Sequence, residues 1–597
     1  MDADPTPASN NRLALAESAR REGNPLALYD LARGAVEAGD PNPRFRYLQV
    51  LALAQMGDTA RAQALYQTHG LSGWTRDEDA MALLGRLYKD QALALGGDVR
   101  RARFARAAEA YQRAFEVRSG YFPGVNAATT AWAAGDALSA RTLADSVLVH
   151  PDLNPPTTFF ASAARAEALI LLGRPREAAD ALALAVGAGG GGSGERAATY
   201  RQLSWLCAGF DMTADERRSI LDAVQPGPII TYTGHMFVAG GVAEGELNAR
   251  IGSALDALGS TIAYGALACG ADILFAEAIL AREGELHVIM PFLMEPFIAV
   301  SVRPGGEAWV ARFDACLRQA TSVTFATRAD YVGNGGEFAY GAQLASGLAR
   351  LRAGQLATRA VQLAVWDGRP ARGRSGAAVD VEAGRAMGLE TQVISPGAVD
   401  RDFVRAPQLD SATLPERIPR AILFTDYQGY SRLPESVIPA FNQEVMGPVA
   451  RVLNHHGDAV CSRNTWGDAL FAVIGDTVAA ADIALEIIES LASVRYLDTG
   501  RPDDEGMRIG LHFGPVYQDI DRVTGLVNFY GSEVTLTARI EPRAVSGQVY
   551  TTQAFAAILA VAAPDRFACR YVGRVELAKG YGVAPIYQLE RRAPGGT

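Results

Sequence analysis

Cysteine is scarce, with five in 597 residues. Cys207, Cys269, Cys316, Cys461 and Cys569 are scattered, none forms a CxxC pair, and none has a histidine at metal-ligand spacing. An odd, dispersed set argues against a disulfide framework or structural zinc and fits a reducing compartment. Long apolar runs are also missing. No uninterrupted stretch reaches the roughly 20 residues that a bilayer-spanning helix needs. Met1-Asp2-Ala3-Asp4-Pro5 is acidic without an apolar core, so no secretory signal is expected there. Positive charge is not in excess either. The formal net charge of −10 gives no reason to expect nucleic acid or an anionic membrane as partner. The expectation is a soluble cytoplasmic protein.

What is present is an ordinary globular balance, 49% hydrophobic and 20% charged. The length is too great for one core and implies several domains. Residues 1–225 are rich in Ala, Leu and Arg with helical periodicity. Arg44–Leu53, a Gly57-Asp58 turn and Ala60–Tyr66 read as one helix–turn–helix unit. Ala107–Phe115, Gly124–Ala128 and the Gly135-Asp136 turn read as another. Small residues with a Gly-Asp turn resemble tetratricopeptide repeats. The resemblance implies a helical solenoid whose concave face docks an unknown protein partner. The glycine-rich patch Gly187–Gly194 reads as an exposed loop, and Pro226-Gly227-Pro228 as a boundary.

Residues 226–395 alternate short strands with helices. Ile229–Gly234, Ser260–Gly265, Leu286–Phe292, Ser322–Ala326, Gln362–Trp366 and Glu390–Ile394 read as strands. This alternation predicts a doubly wound parallel sheet with ligands at the carboxyl ends of its strands. Gly234, His235, Gly270 and Asp272 occupy such ends. They resemble the SLOG group of Rossmann-like nucleotide-sensing domains. That resemblance implies a nucleotide-like ligand held by backbone amides at a helix start. Glu277 and Glu337 are candidates for acid–base work if this domain is itself an enzyme. Residues 396–418 are charged and proline-bearing and read as a linker.

Residues 419–592 give the order βαββαβ, a ferredoxin-like sheet. Arg420–Phe424 runs into Asp426, and Gly467-Asp468 forms the turn of a later hairpin. Two carboxylates at neighbouring strand ends suit hard divalent cations. Tyr427-Gln428-Gly429-Tyr430-Ser431 offers backbone amides to phosphate oxygens. Phe424–Ser431 and Thr465–Ala472 resemble the two metal motifs of class III adenylate and guanylate cyclases. Arg508–Val516, Phe529–Glu541, Gly573 and Lys579-Gly580 match the remaining motifs in order. The resemblance implies conversion of a nucleoside triphosphate to a 3′,5′-cyclic nucleotide. It implies two Mg²⁺ or Mn²⁺ ions per site, on Asp426 and Asp468 with Tyr427 beside them. It gives Arg539 to the α-phosphate, Lys579 to the terminal phosphates, and Gly429, Tyr430 and Ser431 to substrate binding. It also implies a homodimer with two sites.

The sequence departs from that family at three positions. Thr535 stands where an asparagine usually lies one turn before the arginine. Asn464 and Asn528 stand at the base-reading positions. Asparagine both donates and accepts, so no base is selected and pyrimidines stay open. The overall expectation is multidomain α and α/β. A helical repeat solenoid precedes a central Rossmann-like domain and a C-terminal ferredoxin-like α+β cyclase domain. The rival is a degenerate cyclase acting as a nucleotide-binding scaffold.

Overall fold

The computed structural model describes residues 7–187, 190–237, 244–333, 335–371, 373–397, 416–496 and 505–592. The expected linker over 396–418 falls almost wholly outside them. The chain forms two compact units, one mainly Met1–Pro226 and the other mainly Gly227–Gly354 with Arg359–Gly595. Among the described residues no helix is long and apolar enough to cross a membrane.

The first unit is all helical: α1 (Pro7–Arg21), α2 (Pro25–Glu37), α3 (Arg44–Gln55), α4 (Thr59–Thr68), α5 (Glu78–Leu93), α6 (Gly97–Arg118), α7 (Tyr121–Ala134), α8 (Ala137–Leu148), α9 (Phe159–Leu171), α10 (Pro175–Gly187), α11 (Ser193–Ala208) and α12 (Ala214–Val224). The Gly-Asp turns work by capping. Asp58 accepts from the Arg61 amide at 3.2 Å to start α4, and Asp136 from the Ser139 amide at 3.0 Å to start α8. The glycine-rich patch departs from the exposed loop expected. Its described glycines are mostly half-buried, and Gly194 lies backbone to backbone against Gly23.

The second unit holds two sheets. The first comprises β1 (Ile229–Gly234), β2 (Ile262–Gly265), β3 (Glu285–Met290), β4 (Ser322–Phe325), β5 (Ala360–Val365) and β6 (Glu390–Ile394). It is wholly parallel, in the order β4-β3-β2-β1-β5-β6. The helices are α13 (Glu244–Leu258), α14 (Ala271–Leu280), the single turn α15 (Met294–Phe297), α16 (Glu307–Gln319), α17 (Gly336–Gln355) and α18 (Ala377–Ala386). Strand order reverses at β1 and β5, which opens a crevice at their carboxyl ends.

The second sheet comprises β7 (Arg417–Gln428), β8 (Val460–Trp466), β9 (Ala469–Ile474), β10 (Gly506–Ile520), β11 (Val527–Tyr530), β12 (Val549–Thr552), β13 (Phe567–Glu576) and β14 (Val583–Arg591). Its order is β13-β14-β12-β10-β7-β9-β8, with β11 paired to β10. It is mixed, because β10 and β12 run parallel while the other pairs are antiparallel. Its helices are α19 (Ile438–Phe441), α20 (Gly447–His455), α21 (Thr477–Ser490), α22 (Ser532–Ile540) and α23 (Gln553–Ala562). The single helix expected between the first two strands is broken. Pro448 cannot donate to its ladder, and a π turn over Asn442–Met446 separates α19 from α20, while Pro439 sits harmlessly in the first turn of α19.

The two sheets are joined by α17. The Arg417 guanidinium donates to Glu337 Oε1 at 2.7 Å, and these side chains are only 3% and 1% exposed. Tyr340 donates its hydroxyl to the Phe513 carbonyl at 2.7 Å. Glu337 is therefore a structural ion-pair partner, not an acid–base residue. Glu277 is likewise held by Arg312, at 2.6 and 2.8 Å. Removing one member of a buried pair strands the other charge. Glu337→Ala is expected to destabilise the second unit by about 3–5 kcal/mol. The double change Glu337→Leu with Arg417→Met is expected to restore most of the loss, as read from melting midpoints.

Candidate active site

Register brings the two predicted metal carboxylates together. β7 pairs with β9 so that Thr425 faces Leu470, which sets Asp426 beside the β8–β9 turn that carries Asp468. Burial and the charge of Asp426 push the Asp468 carboxyl up to about 6, against the pull of the Asp468 and Tyr427 amides. β7 also pairs with β10, and this places Arg508 directly across from Asp426. The Arg508 guanidinium donates to Asp426 Oδ2 at 2.7 Å and to Glu541 Oε1 at 2.5 Å. Burial pushes the Glu541 carboxyl up to about 7; Arg508 opposes this, and Asp426 and Asp468 add to it. The site is an acidic cluster with one internal counter-ion. Its oxygen donors fit a hard divalent cation, whose charge would relieve the repulsion that raises Asp468.

The other expected residues divide by position. The Tyr427 side chain is buried. Its hydroxyl donates to Glu505 Oε1 at 2.9 Å, and its ring packs edge-on against Phe441. Only its backbone faces the carboxylates. Gly429 leads into a tight turn over Tyr430–Arg432, which holds Tyr430 and Ser431. Thr535 and Arg539 lie one helical turn apart on α22. Thr535 is exposed. Arg539 Nε is buried with no hydrogen-bond partner. Asn464 is exposed on β8. Asn528 lies on β11, where its amide donates to Asp521 Oδ2 at 3.3 Å. Ser462 donates to the Val527 carbonyl at 3.2 Å, so β8 and β11 are neighbours. Lys579, one of two lysines in the chain with Lys89, is exposed in the turn between β13 and β14.

Arg508 and Glu541 were not singled out as site residues from the sequence. The available signal was an arginine inside an otherwise apolar strand. Its partner became legible only through the β7–β10 register. A second omission is the support of α22. Glu533 Oε2 lies 2.9 Å from His512 Nε2, and Oε1 accepts from Thr327 at 2.7 Å. His512 Nδ1 lies 2.8 Å from the Thr552 hydroxyl.

The central candidates lie around the crevice at the β1 end. Gly234 closes β1 with Ala271 packed where a side chain would stand; an added Cβ would lie 2.3 Å from that of Ala271. Gly270 has φ +99, and a Cβ there would come within 2.8 Å of the His235 carbonyl. His235 Nε2 accepts from the Asp367 amide at 3.1 Å. Gly234, His235 and Asp272 line a cavity of about 350 Å³, and Gly270 lies outside its lining.

Residues 26–131 match the family described as Tetratricopeptide Repeats-Sensor. Residues 419–591 match the adenylate and guanylate cyclase catalytic domain. Comparison with curated proteins finds no match. Solved structures include the guanylate cyclase domain of RhGC from Catenaria anguillulae in complex with GTP, 21% identical, covering 29% of this chain and 97% of that one, with TM-score 0.25. A non-canonical dimeric guanylyl cyclase domain of the RhoGC fusion protein from the aquatic fungus Blastocladiella emersonii is 20% identical, covers 29% of this chain and 97% of that one, and has TM-score 0.24. The adenylyl cyclase CyaB from P. aeruginosa is 14% identical, covers 31% and 100%, and has TM-score 0.25.

Glu533 generates a pH prediction. Burial alone would raise its carboxyl, but the hydrogen bonds from His512 and Thr327 and the charge of Arg417 hold it below the usual range. A lowered carboxyl contributes stability above its unfolded value of about 4.3 and loses it as pH falls through the folded one. The melting advantage of the wild type over Glu533→Gln is expected at neutral pH and should shrink below about pH 4.3.

Proposed function

We propose that this protein, whose residues 419–591 are a class III adenylate and guanylate cyclase catalytic domain, forms a 3′,5′-cyclic nucleotide from a nucleoside triphosphate. It is a phosphorus–oxygen lyase: the 3′-oxygen bonds to the α-phosphorus, and the bond from that phosphorus to the pyrophosphate oxygen breaks. The observation that carries this reading is the juxtaposition of Asp426 and Asp468, with Asp468 perturbed by its neighbour. A divalent cation such as Mg²⁺ or Mn²⁺, bound by this pair, supplies activation of the 3′-hydroxyl and neutralisation of the triphosphate.

The chain's own residues divide the rest of the work. Arg508 fixes the carboxylate of Asp426 from behind. The turn at Gly429, Tyr430 and Ser431 presents amides to phosphate oxygens. Arg539 opposes the charge that develops on the α-phosphate, and Lys579 takes the terminal phosphates. Thr535 supplies a shorter donor than asparagine on the same face as Arg539. Asn464 and Asn528 read the base edge without fixing its identity. The metal carboxylates serve one protomer's half of a site and Arg539 the partner's half, in a homodimer. Exposed apolar groups around the β8 and β10–β11 hairpins, including Trp466 at 63% and Leu526 at 69%, support such a paired face. The central Rossmann-like module regulates output through α17, and the repeats dock a protein partner.

The test is incubation of the purified chain with each of the four ribonucleoside triphosphates and Mg²⁺ or Mn²⁺, with cyclic product read by mass spectrometry. Product is expected with the wild type. It should fall by at least about 10³-fold in Asp426→Ala and in Asp468→Ala. Wild-type protein without product from any substrate would overturn the reading. Thr535→Asn is expected to raise kcat by up to about 10²-fold, as the restored donor acts in the transition state.

A further inference from the structure

The cavity in the central module carries chemistry that the cyclase does not use. Its walls are largely apolar, with Tyr232, Phe297, Tyr331 and Phe338 among them. Its volume of about 350 Å³ lies within the range of small-molecule sites. Its acidic groups are Asp272 and Asp380, set among the neutral polar side chains of Thr233, Ser301 and Ser375 and the imidazole of His235. Asp272 is 8% exposed. Its Oδ2 accepts a long bond, 3.3 Å, from the Ala268 amide, the Gly234 backbone lies close by, and its buried Oδ1 makes no hydrogen bond of ordinary geometry. Asp380 stands in the same cavity and accepts from Thr233 at 2.6 Å. Among the described residues no lysine or arginine lines it. Anion capture by amides, the expectation from the glycine pattern, therefore meets two acidic side chains at the same place. A buried acceptor without a partner is costly and is relieved by a donor.

One helix connects this cavity with the cyclase. Phe338, Gly341, Ala342 and Ala345 of α17 line the cavity, at the i, i+3, i+4, i+7 spacing of a single face. Glu337 and Tyr340, on another face, hold Arg417 of β7 and the Phe513 carbonyl of β10. Gly347 meets the Ala557 backbone of α23, where an added Cβ would lie 2.4 Å from the carbonyl oxygen. Thr327, which follows β4, donates to Glu533 at the start of α22, the helix of Thr535 and Arg539.

We propose that this cavity binds an uncharged or cationic small molecule whose hydroxyl or amine donors pair with Asp272 and Asp380, and that α17 relays its occupancy to α22. The relay deepens the proposed cyclase reading; the binding does not depend on it. A ligand seated against Phe338 and Ala342 changes the packing of α17, and the Tyr340–Phe513 bond carries that change into β10. Next to Phe513 on β10 stands His512, which orients Glu533 on α22.

The test uses the full chain and two readouts. Calorimetry is run with adenosine as a diol probe, 2′,3′-dideoxyadenosine as its diol-free control, spermidine as an amine probe, and inorganic phosphate. Hydrogen exchange is followed at α22. Adenosine or spermidine is expected to bind, with dideoxyadenosine weaker than adenosine. That binding should weaken at least about tenfold in Asp272→Asn and in the cavity-filling Ala342→Trp, and persist in Asp468→Ala. The bound probe should slow exchange at α22, and Tyr340→Phe should abolish the slowing while leaving binding intact. Binding of phosphate alone, no binding of any probe at about 1 mM, or unchanged exchange at α22 on binding would overturn the proposal. Binding and slowed exchange in a chain that makes no cyclic product would sink the catalytic reading and leave this one standing.

Discussion

Asp426 and Asp468 carry like charge at adjoining strand ends, and the C-terminal sheet is arranged around that repulsion. β7 has β9 on one side and β10 on the other, so one carboxylate comes from the strand itself and the other from its neighbour's turn. Within the chain the cluster leans on Arg508, which faces Asp426 across the β7–β10 ladder and also holds Glu541. Burial shifts both Asp468 and Glu541 upward, and the charge of the neighbouring carboxylates adds to it, since one guanidinium cannot neutralise three carboxyl groups. An acidic cluster of this kind is a poor way to stabilise a sheet and a good way to hold a hard cation.

The same economy appears where the two sheets of the second unit meet. Tyr340, Glu337 and Thr327 each end on a group of the cyclase module: a carbonyl of β10, a guanidinium of β7 and a carboxylate of α22. The contacts are buried and polar, so they fix one arrangement and penalise partial loss. α22 is thus held both by its own sheet, through His512, and by the central module, through Thr327.

Much of this was legible in the sequence, for identifiable reasons. The Gly57-Asp58 and Gly135-Asp136 turns are local capping events, so the helical unit could be read from neighbouring residues. The parallel sheet was legible because its buried strands are short apolar runs punctuated by glycine. Asp426 and Asp468 could be paired because the β8–β9 hairpin returns beside β7. The pairings of Arg508 with Asp426 and of Glu337 with Arg417 were not legible. Both depend on register or on packing between modules, which no local pattern encodes. The break between α19 and α20 was not foreseen, although Pro448 removes a ladder donor just after the π turn. Of the central cavity's carboxylates, Asp272 was a candidate from the sequence and Asp380 was not: glycines at strand ends suggest amide donors, whereas Asp380 arrives from a helix far along the chain.

The claim on which the rest turns is that Asp426 and Asp468 form a divalent-cation site. Electron paramagnetic resonance of Mn²⁺ with the full chain, in the presence of a non-cyclisable nucleoside triphosphate analogue, tests it without relying on turnover. The account predicts saturable Mn²⁺ binding that is lost in Asp426→Asn and in Asp468→Asn. Binding left intact in both variants would contradict it.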